Sequence, residues 1–253
     1  MQILESQAGP RPEPRRVQLV VGRGTWATWL LIGLNVAAFG WMILRGADVM
    51  SVSGEIAFEL GANQYHAVRL DGEWWRLVVS TFLHGGLLHL FFNMWGLRVL
   101  GPFSEAYLGG AGFLALYLIT GVAASATSIG WNPEVVSLGA SGSIFGLLGA
   151  TLAFFVRHRR EMPKALFQGQ LRSILMLIAI NVALGLTIPQ VDNAAHFGGL
   201  LFGFLGGFLL DRPLLVQPVM TRRRWIGAMV LLVLVPPFLF AVCITSALVH
   251  GWG

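Results

Sequence analysis

"SLGASGSIFGLLGA", residues 137–150, sets a serine between glycines at the start of an apolar run. Two readings of Ser141 compete: a small residue that lets helices pack closely, or a nucleophile that needs room around it. Position 143 is serine rather than glycine and no strand pattern precedes it, so the stretch fails the G-x-S-x-G elbow of the α/β-hydrolases. On a helix Ser143 points about 200° away from Ser141, whereas Phe145 lies only about 40° from it. Ser141 and Phe145 therefore share a face, and Ser143, the local rival, does not.

The chain around this stretch is built for lipid. Of 253 residues 55% are hydrophobic and 11% charged, with a mean hydropathy of +0.70. A soluble domain carries about a quarter charged residues, so the composition implies an all-α polytopic membrane bundle. The lone Cys243 excludes an internal disulfide and a cysteine-based metal site. Lys164 is the single lysine, and the scattered arginines point to membrane topology, not to a nucleic-acid patch.

Crossing a core about 30 Å thick takes roughly 20 apolar residues. Seven segments qualify: 25–44, 86–104, 107–127, 139–156, 171–189, 194–211 and 225–249. The expected organisation is a cytoplasmic tail (1–24), a six-helix core (25–211), and an inner loop with a seventh helix (212–253). The tail lacks the apolar core of a signal peptide and carries Pro10, Pro12 and Pro14. With the N-terminus inside, fourteen basic residues fall on the inner side and only Arg45, Arg69 and Arg76 on the outer side. The long first loop, 45–85, then faces outward and the C-terminus lies outside.

Under this topology the helices beginning near 86, 139 and 194 all run from the outer face inward. His89 and Asn93, Ser141, and His196 sit in their first turns. Polar groups at membrane depth are costly and face a bundle interior or a cavity, so the four imply one shared site. His89 and Asn93, four apart, lie on one helix face. His196, Gly199, Gly203 and Gly207 form a second stripe, and Gly142, Gly146 and Gly149 are its natural counterpart. Pressing these stripes together brings Ser141 beside His196. A serine hydroxyl needs a base to become nucleophilic, and imidazole can take its proton and return it to the leaving amine. Asn93, His89 and the Ser141 backbone N–H at a helix N-terminus are the candidate oxyanion donors. His84 and His89 lack the HExxH pattern and any carboxylate cluster, so metal chemistry is not expected.

"EWWR" (73–76), "HLFFN" (89–93), "GASG" (139–142) and "AHFGG" (195–199) resemble, in order, the motifs of the rhomboid intramembrane serine proteases. The resemblance covers roughly residues 25–211. It implies a Ser141–His196 dyad without a third member, an oxyanion role for His89 and Asn93, and a structural pair in Trp75 and Arg76. It also implies an aromatic ring, here Phe145, stacked on His196. The extra C-terminal segment resembles the six-plus-one arrangement of part of the family.

The expected function is a serine endopeptidase without cofactor that cleaves other transmembrane proteins, single-pass ones above all, near the outer face of the bilayer. Substrate helices would unwind to expose a peptide bond, and the 188–194 loop would cap the site. The expected location is a bacterial inner membrane. Two competitors remain at this level. One is an inactive relative that binds membrane clients, although intact Ser141 and His196 weigh against it. The other is a small transporter, for which inverted repeats and broken helices are missing.

Several side residues carry bland expectations. Asp192, one turn before His196, is either a third catalytic member or, more simply, a solvated loop carboxylate. His84 belongs to a rim or water site. His66, His158 and His250 lie in loops or the tail without chemistry. Arg98 and Glu105, seven apart, form an inner-face pair, and Asn35 bonds between helices.

Overall fold

The computed structural model describes residues 25–188 and 191–210. The N-terminal tail and the expected seventh helix at 225–249 lie outside the described residues. Among them are six long helices: α1 (Trp26–Leu44), α5 (Leu87–Leu108), α6 (Gly110–Trp131), α7 (Ser141–His158), α8 (Lys164–Thr187) and α9 (Asn193–Leu210). Each matches one of the first six apolar segments. The short helices α2 (Gly54–Glu59), α3 (Tyr65–Arg69) and α4 (Arg76–Val79), with a 3₁₀ turn at Ser80–Phe82, fill the long first connection. The fold is all-α, and the chain is an integral, multi-pass membrane protein.

By length and composition α1, α6, α8 and α9 can each cross a bilayer; α5 joins them only together with Arg76–Phe82, from which it bends by 92°. α7 carries Ser141, Ser143, Thr151, Arg157 and His158, and it can do so because protein, not lipid, surrounds it. Most of its residues are buried, including Phe145, Leu147, Leu148, Phe154 and Phe155. α8 is the opposite case. Ile174 is its one buried residue, and its exposed Leu175, Met176, Ile180 and Leu186 suit a face turned to acyl chains.

Lipid tails are as apolar as leucine, so close packing and hydrogen bonding, not hydrophobicity, must hold such helices together. At Gly199 an added Cβ would lie 2.0 Å from Gly142 O, and at Gly203 1.9 Å from Gly146 O. The α7 and α9 backbones thus touch with nothing between them, as the glycine stripes predict. The pairing is one-sided, however. The Cβ positions of Gly142 and Gly146 meet Ala124 and Thr120 of α6. The α7 glycines therefore offer carbonyls to α9 and their missing side chains to α6. Gly149 is different again, with its Cβ position 2.1 Å from Leu200 O of α9.

Polar residues tie the remaining helices. Glu105 accepts the N–H groups of Ala27 (3.1 Å) and Thr28 (2.9 Å) and the Thr28 hydroxyl (2.8 Å), capping α1 from a distant helix. The expected Arg98–Glu105 pair does not form, because α1 needs that carboxylate and Arg98 lies over the Trp29 ring, 5.4 Å from its centroid. Asn35 does bond between helices, donating to Tyr117 Oη at 3.3 Å. His158 is not a loop residue. It ends α7, is buried, and lies 3.2 Å from Glu161.

The α7–α9 contact has a measurable consequence. Gly203→Ala must push two backbones apart, which should cost roughly 1–3 kcal/mol and lower the unfolding temperature in detergent. Gly40→Ala, on α1 with nothing within 4 Å of the new methyl, should leave it unchanged. Equal melting of the two variants would show that the backbone contact does not hold the bundle.

Candidate active site

Ser141 is the first residue of α7 and is half-buried. The chain reaches it through Gly139, whose φ of +126° is a conformation side chains rarely adopt. There is also no room for a side chain. The His89 ring occupies the space, with Cε1 2.8 Å and Nε2 2.9 Å from where a Cβ would stand. The opening glycine of "GASG" thus lets His89 of α5 lie against the start of α7. The Gly139 N–H in turn donates to Ser80 O at 2.9 Å.

His196 sits in the first turn of α9, buried, with its ring stacked on Phe145 at 4.1 Å between centroids and 6° between planes. Phe145 is one turn below Ser141 on the same face of α7. Next to Ser141, Gly142 presses on both Gly199 and the Ala195 carbonyl region of α9. Stack and backbone contact together put the hydroxyl and the imidazole at one end of one helix pair. Among the described residues, His196 Nδ1 has no hydrogen-bond partner, and no bond joins the ring to Ser141. Such contacts are often long in a substrate-free state and tighten when substrate arrives. Ser143 is directed elsewhere, with its Oγ 2.4 Å from the Cβ position of Gly121 on α6.

His89 and Asn93 share a face of α5, as their spacing requires. Gly85 N–H donates to His89 Nδ1 at 3.2 Å. An accepting Nδ1 leaves the ring proton on Nε2, the nitrogen facing Gly139. Asn93 is buried and donates to the His89 carbonyl at 2.9 Å, one turn back on its own helix. His84 is fully buried rather than at a rim. Its Nδ1 lies 3.2 Å from Phe82 O and its ring stands edge-on to His89 at 5.2 Å.

The contacts of Trp75 and Arg76 fold the first connection. The Arg76 guanidinium is buried, donates to Phe58 O (2.6 Å) and Ala62 O (3.0 Å), pairs with Glu73, and lies 4.3 Å over the Phe58 ring. The Trp75 ring fills the space beside Gly61. Asn63 then joins this connection to the site, exchanging backbone hydrogen bonds with Ser137 at 2.9 Å and donating to Ser125 O at 2.7 Å.

Asp192 is not the solvated carboxylate expected of a loop. It accepts the Ala195 N–H at 2.9 Å, the Ser137 hydroxyl at 2.7 Å and the Ser128 hydroxyl. An acidic residue directly before "NAAH" is an N-cap signature, and that signal was available in the sequence. The two serine partners were not, because they lie 64 and 55 positions away.

Ser141 of α7, His196 of α9 and the His89 ring of α5 thus gather where three helices of a polytopic membrane bundle meet. A family model described as the Rhomboid domain matches residues 71–213. The chain is 32% identical over 231 residues to the rhomboid protease GluP of Bacillus subtilis (strain 168), covering 90% of this chain and 43% of that protein. It is 37% identical over 180 residues to the mitochondrial RHOMBOID-like protein 6 of Arabidopsis thaliana, covering 71% and 56% of the two chains. With RHOMBOID-like protein 5 of the same plant it shares 41% over 158 residues, 61% of this chain and 50% of the other. The chain belongs to the rhomboid family. It spans about half the length of these curated relatives.

Arg76 supplies the testable point here. Arg76→Ala leaves the Phe58 and Ala62 carbonyls without their donor, at a cost of about 1–3 kcal/mol. It should lower the melting temperature and open residues 54–69 to added protease. Arg76→Lys should restore only part, since an ammonium cannot reproduce the fork. Wild-type melting and protease resistance in Arg76→Ala would remove the pinning role.

Proposed function

We propose that this protein is an intramembrane serine protease that hydrolyses peptide bonds in or near transmembrane segments of other membrane proteins, close to the outer face of the bilayer. The stack of His196 on Phe145, one turn below Ser141, carries this reading. It holds the imidazole beside the helix end from which the hydroxyl projects.

In the proposed mechanism His196 takes the Ser141 proton as the oxygen attacks a carbonyl carbon, and returns it to the leaving amine as the C–N bond breaks. It then takes a proton from the water that hydrolyses the acyl-serine ester and frees Ser141. The hydroxyl–imidazole contact tightens when substrate arrives. The oxyanion is held by the His89 Nε2–H, the Asn93 amide and the Ser141 N–H at the start of α7. The first N–H groups of a helix have no intrahelical acceptor, so they are free for this use. Phe145 keeps the ring in plane, and Gly142, Gly199 and Gly203 keep the two helices at the required separation. Trp75 and Arg76 support the outer connection. No cofactor or metal enters the reaction.

The arginine distribution supports an N-terminus in the cytoplasm and a site near the outer face. The acids and prolines of the N-terminal tail, unlike a transit peptide, support a bacterial inner membrane. Substrates are single-pass helices that unwind locally, because a helical peptide bond is already hydrogen-bonded and shielded. The mostly exposed α8 supports lateral entry from lipid.

Ser141→Ala and His196→Ala should each abolish cleavage of a single-pass substrate and covalent labelling by a fluorophosphonate, with little change in melting. Loss within such a unit is non-additive, so the double variant should be no worse than either single one. Ser143→Ala should stay active. Gly139→Ala, which displaces the His89 ring, should slow labelling by about 10²-fold. Labelling that survives Ser141→Ala and is lost in Ser143→Ala would move the nucleophile and end this assignment.

A further inference from the structure

We propose that Asp192 is a positioning residue that fixes the approach of Ser141 and His196 by joining three segments through one carboxylate; this rests on the serine-protease reading above. Its Oδ1 accepts the Ala195 N–H and so caps α9. Its Oδ2 accepts two hydroxyls, from Ser128 on α6 and from Ser137 on the segment leading into α7. Ser137 is four residues before Ser141, and Asp192 is four residues before His196. The carboxylate therefore ties the two incoming strands of chain just ahead of the residues that must meet.

The glycine contacts cannot do this alone. Gly199 on Gly142 and Gly203 on Gly146 set the helix separation at and below the site. Beyond the helix ends, where the chain turns into each first residue, Asp192 provides the cross-link. Ser137 is itself paired through its backbone to Asn63, so the first connection shares the same node. Hydrogen bonds to an ionised carboxylate are stronger than neutral ones, and three donors converge on this group. The carboxylate does not hold the imidazole, because His196 Nδ1 donates no bond to it. It acts on where the ring stands.

Asparagine separates the two roles. Its carbonyl oxygen can replace Oδ1 toward the Ala195 N–H, and its NH₂ can donate to the oxygens of Ser128 and Ser137 once those hydroxyls turn. Asp192→Asn should therefore keep kcat within about 3-fold, whereas an asparagine in place of a triad acid costs about 10⁴-fold. Asp192→Ala should lower kcat and the fluorophosphonate labelling rate by about 10²-fold, as expected for a misplacement near 1 Å. KM and the final extent of labelling should be unchanged, which separates misplacement from misfolding. The Ser128→Ala/Ser137→Ala double variant should behave like Asp192→Ala.

Thermal unfolding in detergent supplies a readout independent of catalysis. Asp192→Ala and Ser137→Ala remove one shared contact, so their melting losses should not add. Additive losses, an asparagine variant as slow as the alanine variant, or a double serine variant at full rate would each overturn the proposal. If the wild-type protein neither cleaves nor labels, the protease reading fails, and the melting cycle still decides whether the clamp exists.

Discussion

The contact between the backbones of α7 and α9 governs the rest of this structure. Gly142 O and Gly146 O of one helix lie where Cβ atoms of the other would be. At that distance the packing gains dispersion and weak Cα–H···O contacts that no side chain could supply. The same α7 glycines are pressed from the other side by Ala124 and Thr120 of α6. α7 is thus gripped on two faces and nearly withdrawn from lipid. That withdrawal allows one helix to carry two serines, a threonine and a buried histidine across the bundle.

A bundle held by close packing must still satisfy its polar groups internally. The solutions are local and specific. Glu105 covers the N–H groups that α1 leaves open, Arg76 gathers two carbonyls of the first connection, and Asn63 reaches a carbonyl of α6. Glu105 and Arg76 each make several bonds at once, which lets a single polar residue offset its own desolvation. The His196 Nδ1, like Asn63 Oδ1, is buried and unpartnered among the described residues. The orientation of the His196 ring comes from an aromatic face and from the backbone that carries it.

The long helices were legible in the sequence because length and composition dictate them. Segments read at 25–44 and 194–211 are found at Trp26–Leu44 and Asn193–Leu210. The gathering of His89, Ser141 and His196 at one end was legible too, since helix direction and the small-residue stripes both demand it. α8 begins seven residues earlier than the apolar run at 171, because Pro163 precedes a polar turn that hydropathy alone does not count. The interior of the first connection, the partner of Glu105 and the serines around Asp192 were not legible. Each depends on side chains meeting across 14 to 78 positions of sequence, and no local pattern encodes that. The double duty of the α7 glycines was half visible: the stripe facing α9 was read, and the α6 side was not.

These constraints also account for where the candidate site lies. A nucleophile in the middle of α7 would face Thr120 or the α9 backbone, with no space for a peptide. At the first residue the glycine contacts end and the chain turns through Gly139, and the helix presents N–H groups that have no acceptor of their own. His89 can approach there because Gly139 lacks a side chain, and the Gly85 N–H leaves its Nε2 proton directed at the same place. Close packing and open chemistry are therefore successive demands along one helix: glycines that exclude everything from position 142 inward, and a glycine at 139 that admits an imidazole. The serine between them sits at the level where, on the proposed reading, the helices are near enough to align a base and open enough to admit a substrate.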